Sequence, residues 1–314
     1  MRRKHFLVVS ASGALLAGLF VSCGPGDDVI PLSSQTVQGG SPQANALYAT
    51  AQQYESAGKT GRAISTYQKI VKKYPHTTVG ADARFAHARL LDKQGDLFKA
   101  FESYQELISR YPGSKHYAAA VKRQETVAHS AANGVIKNNF LGMKTRISPQ
   151  KIEKMLSNVR DNAPRAASAS KAQLAIGQVW QKEGNAAKAI AAYEQLGRDY
   201  GDSPQAHEAL FQTGEILVLK SKRGNQNKAH VHRARNIYTD LIHRYPGSNR
   251  VADAKRRLTL LGGQDIQRSF EIAEFYRGKG QNKSALFYYR EVVRKSSSGA
   301  LHDKAKRRIA ELGG

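Results

Sequence analysis

Cysteine is almost missing from this sequence. One stands in 314 residues, so no intramolecular disulfide or multi-cysteine zinc site can hold the chain together, and its cohesion must come from packing. Long apolar runs are also scarce: the stretch from Phe6 to Val21 is broken by Ser10, Ser12 and Gly13 and is too short to span a bilayer comfortably. Acid is in deficit, with 25 Asp and Glu against 49 Lys and Arg, which predicts a strongly basic surface. Glycine and proline are modest and 40% of residues are hydrophobic, which argues against disorder over most of the chain. Catalytic patterns are lacking as well. Ser, His and Asp occur in no recognisable nucleophile turn, and no glycine-rich phosphate loop follows a strand, so no enzyme and no cofactor is expected.

The single cysteine has a telling place. Arg2, Arg3 and Lys4 precede the apolar stretch, which ends in Leu19-Phe20-Val21-Ser22-Cys23. This reads as a signal peptide over residues 1–22, and its end resembles a lipobox, with Phe20 where an aliphatic residue is usual. Cys23 is then the expected lipidation site, whose thiol would take a diacylglyceryl group and anchor the chain to a membrane. Removal of the leader takes away three cations and no acid, so the body stays basic. Residue 24 is Gly rather than the Asp that usually retains such lipoproteins at the inner membrane, which points to the outer membrane, facing the periplasm. Export in turn disfavours nucleic acid as a partner. Residues 23–43, rich in Gly, Pro, Ser and Asp, are expected to form a flexible tether with a reach of roughly 25 Å.

From Ala44 one pattern recurs. Leu47, Ala51, Tyr54, Gly58, Ala63, Tyr67, Ile70 and Pro75 have the spacing of two amphipathic helices joined at a glycine and stopped by a proline. This resembles the tetratricopeptide repeat, in which small residues sit where paired helices cross and aromatics fill the gaps. The series returns at Ala88, Gly95, Ala100, Tyr104 and Pro112; at Gly177, Trp180, Gly184, Ala189 and Tyr193; at Gly214, Ala234, Tyr238 and Pro246; and at Ala273, Gly280, Ala285 and Tyr289. The expected fold is an all-α tetratricopeptide-repeat superhelix with five clear repeats, one divergent repeat and a capping helix from about Leu301 to Leu312. Residues 44–165 hold the N-terminal repeats and residues 166–314 the C-terminal ones. The divergent repeat is predicted as helices over about Tyr117 to Ala132 and Pro149 to Asn162, with a loop containing Leu141-Gly142-Met143-Lys144 between them. In the fourth clear repeat Gly214 and Ala234 stand twenty residues apart where the equivalent pairs stand twelve apart, so Lys220 to Arg233 carries an insertion.

Tyr74-Pro75-His76-Thr77, Tyr111-Pro112-Gly113-Ser114 and Tyr245-Pro246-Gly247-Ser248 end second helices with Tyr-Pro and a hydroxyl residue. That variant resembles the BamD family of outer-membrane β-barrel assembly lipoproteins, and also relatives such as the CpoB-like envelope coordinators. Leu47-Tyr48-Ala49-Thr50-Ala51-Gln52-Gln53 is similar to the family's opening repeat, and Tyr245-Pro246 through Ala254, Leu261 and Ala273-Glu274-Phe275-Tyr276 to its later ones. The chain departs from the family by about one extra repeat, by a more positive charge, and by Gly262-Gly263, which is expected to interrupt a helix. The resemblance implies a subunit of a hetero-complex. Its first repeats would meet unfolded β-barrel proteins through Tyr48, Gln52, Phe85 and Arg89, and its later repeats would dock on BamA-like POTRA domains, where Arg256, Arg257 and Arg268 could meet acidic positions. A secretin pilotin and a CpoB-like coordinator are the alternatives.

Three further features have two readings each. Tyr48, Phe85, Leu174, Phe211 and Phe270 stand three places before the small residue of each first helix; they form an apolar stripe for a partner or, more simply, pack between repeats. Lys220, Lys222, Arg223, Lys228, His230, His232 and Arg233 could attract acidic surfaces or anionic head groups, or be a solvated loop. His230 and His232 alternate as ligands might, but no carboxylate or cysteine stands beside them, so no metal is expected.

Overall fold

A hydroxyl residue and a proline start the first helix. The computed structural model describes residues 41–134, 138–140, 143–223 and 228–314; the leader, Cys23 and nearly all of the tether lie outside the described residues. The Ser41 hydroxyl caps α1 (Pro42–Ser56) by accepting from the Ala44 amide. Pro42 takes the first turn, where its missing amide proton costs no helical bond. The helix therefore begins two residues before Ala44.

Among the described residues six helical hairpins and a last single helix follow. They are α1 with α2 (Thr60–Lys73), α3 (Thr78–Gln94) with α4 (Leu97–Arg110), α5 (Tyr117–Ala132) with α6 (Pro149–Asn162), and α7 (Ala167–Lys182) with α8 (Ala186–Asp199). Then come α9 (Ala206–Arg223) with α10 (Lys228–Arg244), α11 (Val251–Gly278) with α12 (Asn282–Lys295), and α13 (Ala300–Glu311). Each helix packs on the next, and α1 touches α3, α5 touches α7, α7 touches α9 and α11 touches α13. First helices thus stack on first helices, as in a tetratricopeptide superhelix. Gly58, Gly95, Gly184 and Gly280, the glycines placed at turns by spacing, all adopt positive φ, between 69° and 78°, which a side chain would resist.

The crossing points explain the small residues. Ala51, Ala63, Ala88, Ala100, Ala189, Ala234, Ala273 and Ala285 are wholly buried. In α7 and α9 the position belongs to glycine, because a Cβ on Gly177 would overlap the Tyr193 ring and one on Gly214 would come within 2.5 Å of Tyr238. The second-helix tyrosines Tyr67, Tyr104, Tyr193, Tyr238 and Tyr289 are themselves no more than 2% exposed. At the open end α13 buries His302 and Ala305 and lays Leu301, Ile309 and Leu312 on the α11–α12 core, covering the last repeat.

Three details differ from expectation. The link in the divergent repeat is not only a loop: β1 (Asn138–Phe140) pairs antiparallel with β2 (Met143–Thr145), Asn139 opposite Lys144, while Leu141 and Gly142 lie outside the described residues. The insertion of the fourth clear repeat is taken up by lengthening both helices, α9 to 18 residues and α10 to 17. Lys220, Lys222 and Arg223 therefore end a helix, and Lys228, His230, His232 and Arg233 begin one, rather than forming a solvated loop.

Gly262-Gly263 also does not interrupt its helix, since α11 runs unbroken for 28 residues, about 42 Å. The reason lies on the neighbouring helix. Arg235 of α10 donates to the Leu261 carbonyl at 2.7 Å and pairs with Asp265 at 2.6 Å, so one guanidinium holds the turns on both sides of the glycine pair.

Candidate functional site

A repeated polar clasp runs along the first helices. In the first repeat the Tyr67 hydroxyl donates to Glu55 at 3.2 Å, and Arg89, from the next first helix, grips the same carboxylate. In the second, Tyr104 lies 3.5 Å from Asp92, and Arg123 of α5 holds Asp92 through both carboxylate oxygens. Tyr238 donates to Glu215 at 2.5 Å while Arg257 binds the other oxygen of Glu215. Tyr289 donates to Glu274, which Arg308 of the capping helix also contacts. The α7–α8 repeat uses a neutral version: Tyr193 donates to Gln181 at 2.6 Å, and Gln181 donates to Gln212 at 2.8 Å.

Each clasp joins three helices, because the tyrosine comes from a second helix, the acceptor from its own first helix, and the outer donor or partner from the following first helix. Charge-assisted bonds of this kind are stronger than neutral ones. The titration of the groups reflects it. Burial and then the Glu274 bond push Tyr289 up to about 12. Burial acts to raise the Glu274 carboxyl, but the bonds from Tyr289 and Arg277 outweigh it and hold the group below its ordinary value. The array is stitched at its other edge too: Tyr111 donates to the Pro75 carbonyl at 2.7 Å and Tyr245 to the Gly201 carbonyl at 2.5 Å. The tyrosine of Tyr-Pro thus reaches back to the turn that ends the preceding repeat.

These contacts place the residues singled out from sequence. Tyr48, Phe85, Phe211 and Phe270 meet the second-helix tyrosine of their own repeat, with centroid distances of 5.5, 6.1, 5.9 and 5.7 Å to Tyr67, Tyr104, Tyr238 and Tyr289. Leu174 is partly buried against the main core. The packing is therefore chiefly within repeats rather than between them. Phe85 is also stacked on His116 at 4.3 Å. Gln52 and Arg89 are exposed on α1 and α3, but Arg89 is already committed to Glu55. Arg256, Arg257 and Arg268 all lie on α11. Arg256 is exposed and pairs with Asp253, Arg257 is held by Glu215, and Arg268 is half-buried and engaged within the protein. The structure brings Tyr48, Gln52, Phe85 and Arg89 together on two neighbouring first helices. The three arginines form a separate group far along the array.

Sequence reasoning missed a surface at the last repeat. Phe275 and Phe287 are 61% and 65% exposed. Tyr276 and Tyr288 stack at 5.7 Å between them, with Phe275 edge-on to Tyr276 and Phe287 edge-on to Tyr288. Four aromatic residues thus make one exposed patch on the α11–α12 hairpin, the kind of apolar surface that marks an interaction site. The signal was present as Phe275-Tyr276 and Phe287-Tyr288 at the two sides of one turn. No helix among the described residues is long and apolar enough to cross a membrane.

Stacked helical hairpins with small residues at every crossing define a tetratricopeptide-repeat array, and a tetratricopeptide-repeat model matches residues 45–77 and 82–114. The rest of the chain carries a second match: the YfiO family, described as outer membrane lipoprotein, over residues 147–305. That is half of the chain, and the protein belongs to this family. No curated protein matches the sequence. Similar solved structures include pilF of Pseudomonas aeruginosa, at 13% identity over 84% of this chain and 96% of that one with a TM-score of 0.31. A thermophilic TPR protein of Thermus thermophilus is 18% identical over 69% of this chain and 98% of its own, with a TM-score of 0.31. The C-terminal part of a TPR repeat-containing protein of Cytophaga hutchinsonii is 13% identical over 85% and 87%, with a TM-score of 0.35.

Proposed function

We propose that this chain is an outer-membrane lipoprotein scaffold of the β-barrel assembly machinery. It is anchored through an acylated Cys23, faces the periplasm, and binds BamA-like POTRA domains and unfolded barrel proteins. The observation that carries this reading is the family match over residues 147–305, which spans α6 to α13. The exposed patch of Phe275, Tyr276, Phe287 and Tyr288 lies within that span and supplies the apolar anchors that interfaces use. Arg256, Arg257 and Arg268, nearer the start and middle of the same long helix, are the basic positions for acidic groups of the partner, and Tyr48, Gln52, Phe85 and Arg89 at the other end are the positions for an unfolded chain.

The test is recovery of the protein from membranes in mild detergent. Co-purification of a BamA-like protein is the expected result, weakened by Phe275→Ser with Phe287→Ser, two exposed positions whose change leaves the core intact. A secretin or a peptidoglycan enzyme in its place would overturn the reading in favour of a pilotin or an envelope coordinator. Mass spectrometry of the membrane form should show lipid on Cys23, and Cys23→Ala should release the chain.

A further inference from the structure

The deficit of acid is not spread evenly over the array. Every helix carries at least one Asp or Glu except α2 and α7, and α7 has only Lys171 and Lys182. In contrast, α2 has Arg62, Lys69, Lys72 and Lys73, with Lys59 as its N-cap. All five are exposed. At 100° per residue Arg62, Lys69, Lys72 and Lys73 fall within about 100° of one another, on the side away from buried Ala63, Tyr67, Ile70 and Val71.

Helix stability does not account for this arrangement. Lys72 and Lys73 suit the carbonyl end of the helix, but Lys59 and Arg62 stand at the amide end, where positive charge is unfavourable. Lys99 of α4 and Lys188 of α8 occupy the place equivalent to Arg62, and both are neutralised, by Asp96 and Glu153. None of the α2 cations has an ion pair among the described residues.

The position of α2 indicates what it faces. It runs back along α1, turned by Gly58, so its last turns return toward the Ser41 end where the chain arrives from Cys23. Seventeen residues lie between Cys23 and Ser41, and the flexible tether expected from their composition has a reach of roughly 25 Å. A membrane that holds Cys23 therefore lies within reach of this helix.

We propose that the outer face of α2 is a second membrane contact, in which Arg62, Lys69, Lys72 and Lys73 bind the phosphates of anionic lipid head groups. This rests on the lipid-anchored reading of Cys23 and gives the tethered array a defined orientation, with its first hairpin on the bilayer.

The experiment uses the full-length protein purified from membranes. It is mixed with vesicles of phosphatidylcholine alone, or of phosphatidylcholine and phosphatidylglycerol in equal parts. Flotation with the neutral vesicles reads the anchor. Amine-reactive labelling followed by mass spectrometry reads the patch. Lys69, Lys72 and Lys73 should be protected on the phosphatidylglycerol vesicles only, with Lys304 and Lys306 of α13 labelled equally on both. High salt should remove the protection. Arg62→Gln with Lys69→Gln should lower the bound-to-free ratio read at Lys72 and Lys73 by roughly 30-fold, since a cation near an anionic surface contributes about 1 kcal/mol. Equal labelling of α2 on the two vesicle types, with flotation intact, would overturn the contact and leave the anchor standing. Protection on the anionic vesicles without flotation on the neutral ones would keep the contact and overturn the anchor. Protection that survives high salt, or extends to α13, would also overturn it.

Discussion

Tyr238 and Glu215 are joined by a hydrogen bond of 2.5 Å between a side chain with no exposed surface and a carboxylate shared with Arg257 of the next repeat. The bond links burial within one hairpin to the contact between hairpins. Tyr238→Phe should keep the packing and lose a bond to a charged acceptor, a cost of about 1.5–3 kcal/mol. Tyr238→Ala should cost more, about 3–5 kcal/mol, because it also leaves a cavity. Urea unfolding followed by far-ultraviolet circular dichroism would measure both, and a Tyr238→Phe variant as stable as the wild type would mean that the hydroxyl contributes nothing.

Two kinds of glycine should respond in opposite directions. Gly177→Ala drives a methyl group into the Tyr193 ring and should destabilise by about 1–3 kcal/mol. Gly262→Ala and Gly263→Ala meet open space inside a helix and should each stabilise by about 0.5–1 kcal/mol. The same unfolding series tests both, and a gain from Gly177→Ala would refute the close approach of Tyr193.

Arg235 should matter most while the glycines are present. Arg235→Ala releases the Leu261 carbonyl and Asp265, and its cost should shrink when Gly262 and Gly263 are both alanine, because the helix then holds itself. A double-mutant cycle reads this coupling. Strict additivity would show that the guanidinium does not support the glycine pair.

His87 predicts a pH dependence. It is buried on α3 with its Nδ1 2.9 Å from the Ser103 hydroxyl, and burial, aided by Arg84 and Lys99, lowers its pKa to about 4. Below its ordinary value near 6.5 the unfolded chain binds a proton that the folded one refuses. Its contribution is therefore present above pH 6.5 and is lost as pH falls toward 4, by up to about 3 kcal/mol. Melting temperatures from pH 7 to 4.5 should fall more steeply for the wild type than for His87→Phe, and parallel slopes would remove His87 as the cause.

Much of the array was legible because its rules are local. Gly58, Gly95, Gly184 and Gly280 sit at turns because each helix pair must reverse within a few residues, and only glycine enters positive φ freely. Ala51, Ala88 and Ala273 sit at crossings because helix axes approach most closely there. Even the divergent repeat was readable, since the apolar period over Tyr117 to Ala132 and Pro149 to Asn162 is that of a helix whatever its neighbours are. The candidate surfaces were legible only in part: Tyr48 and Phe85 could be placed on first helices, but not the fact that each leans on a tyrosine of its own hairpin.

By itself, then, the sequence determined the helices, their pairing and their number of repeats, all of which depend on residues within one hairpin. The tertiary structure alone decided which charges are spent and which are free. Glu215 finds Tyr238 at 23 positions and Arg257 at 42, whereas Glu55 finds Tyr67 at 12 and Arg89 at 34, so no single spacing announces the clasp. Gly262-Gly263 stays helical because Arg235 reaches it from another helix. Among the described residues the cations on the face of α2 have no ion pair because no neighbouring helix brings an acid to it, a consequence of how hairpins stack rather than of the order of residues along any one of them.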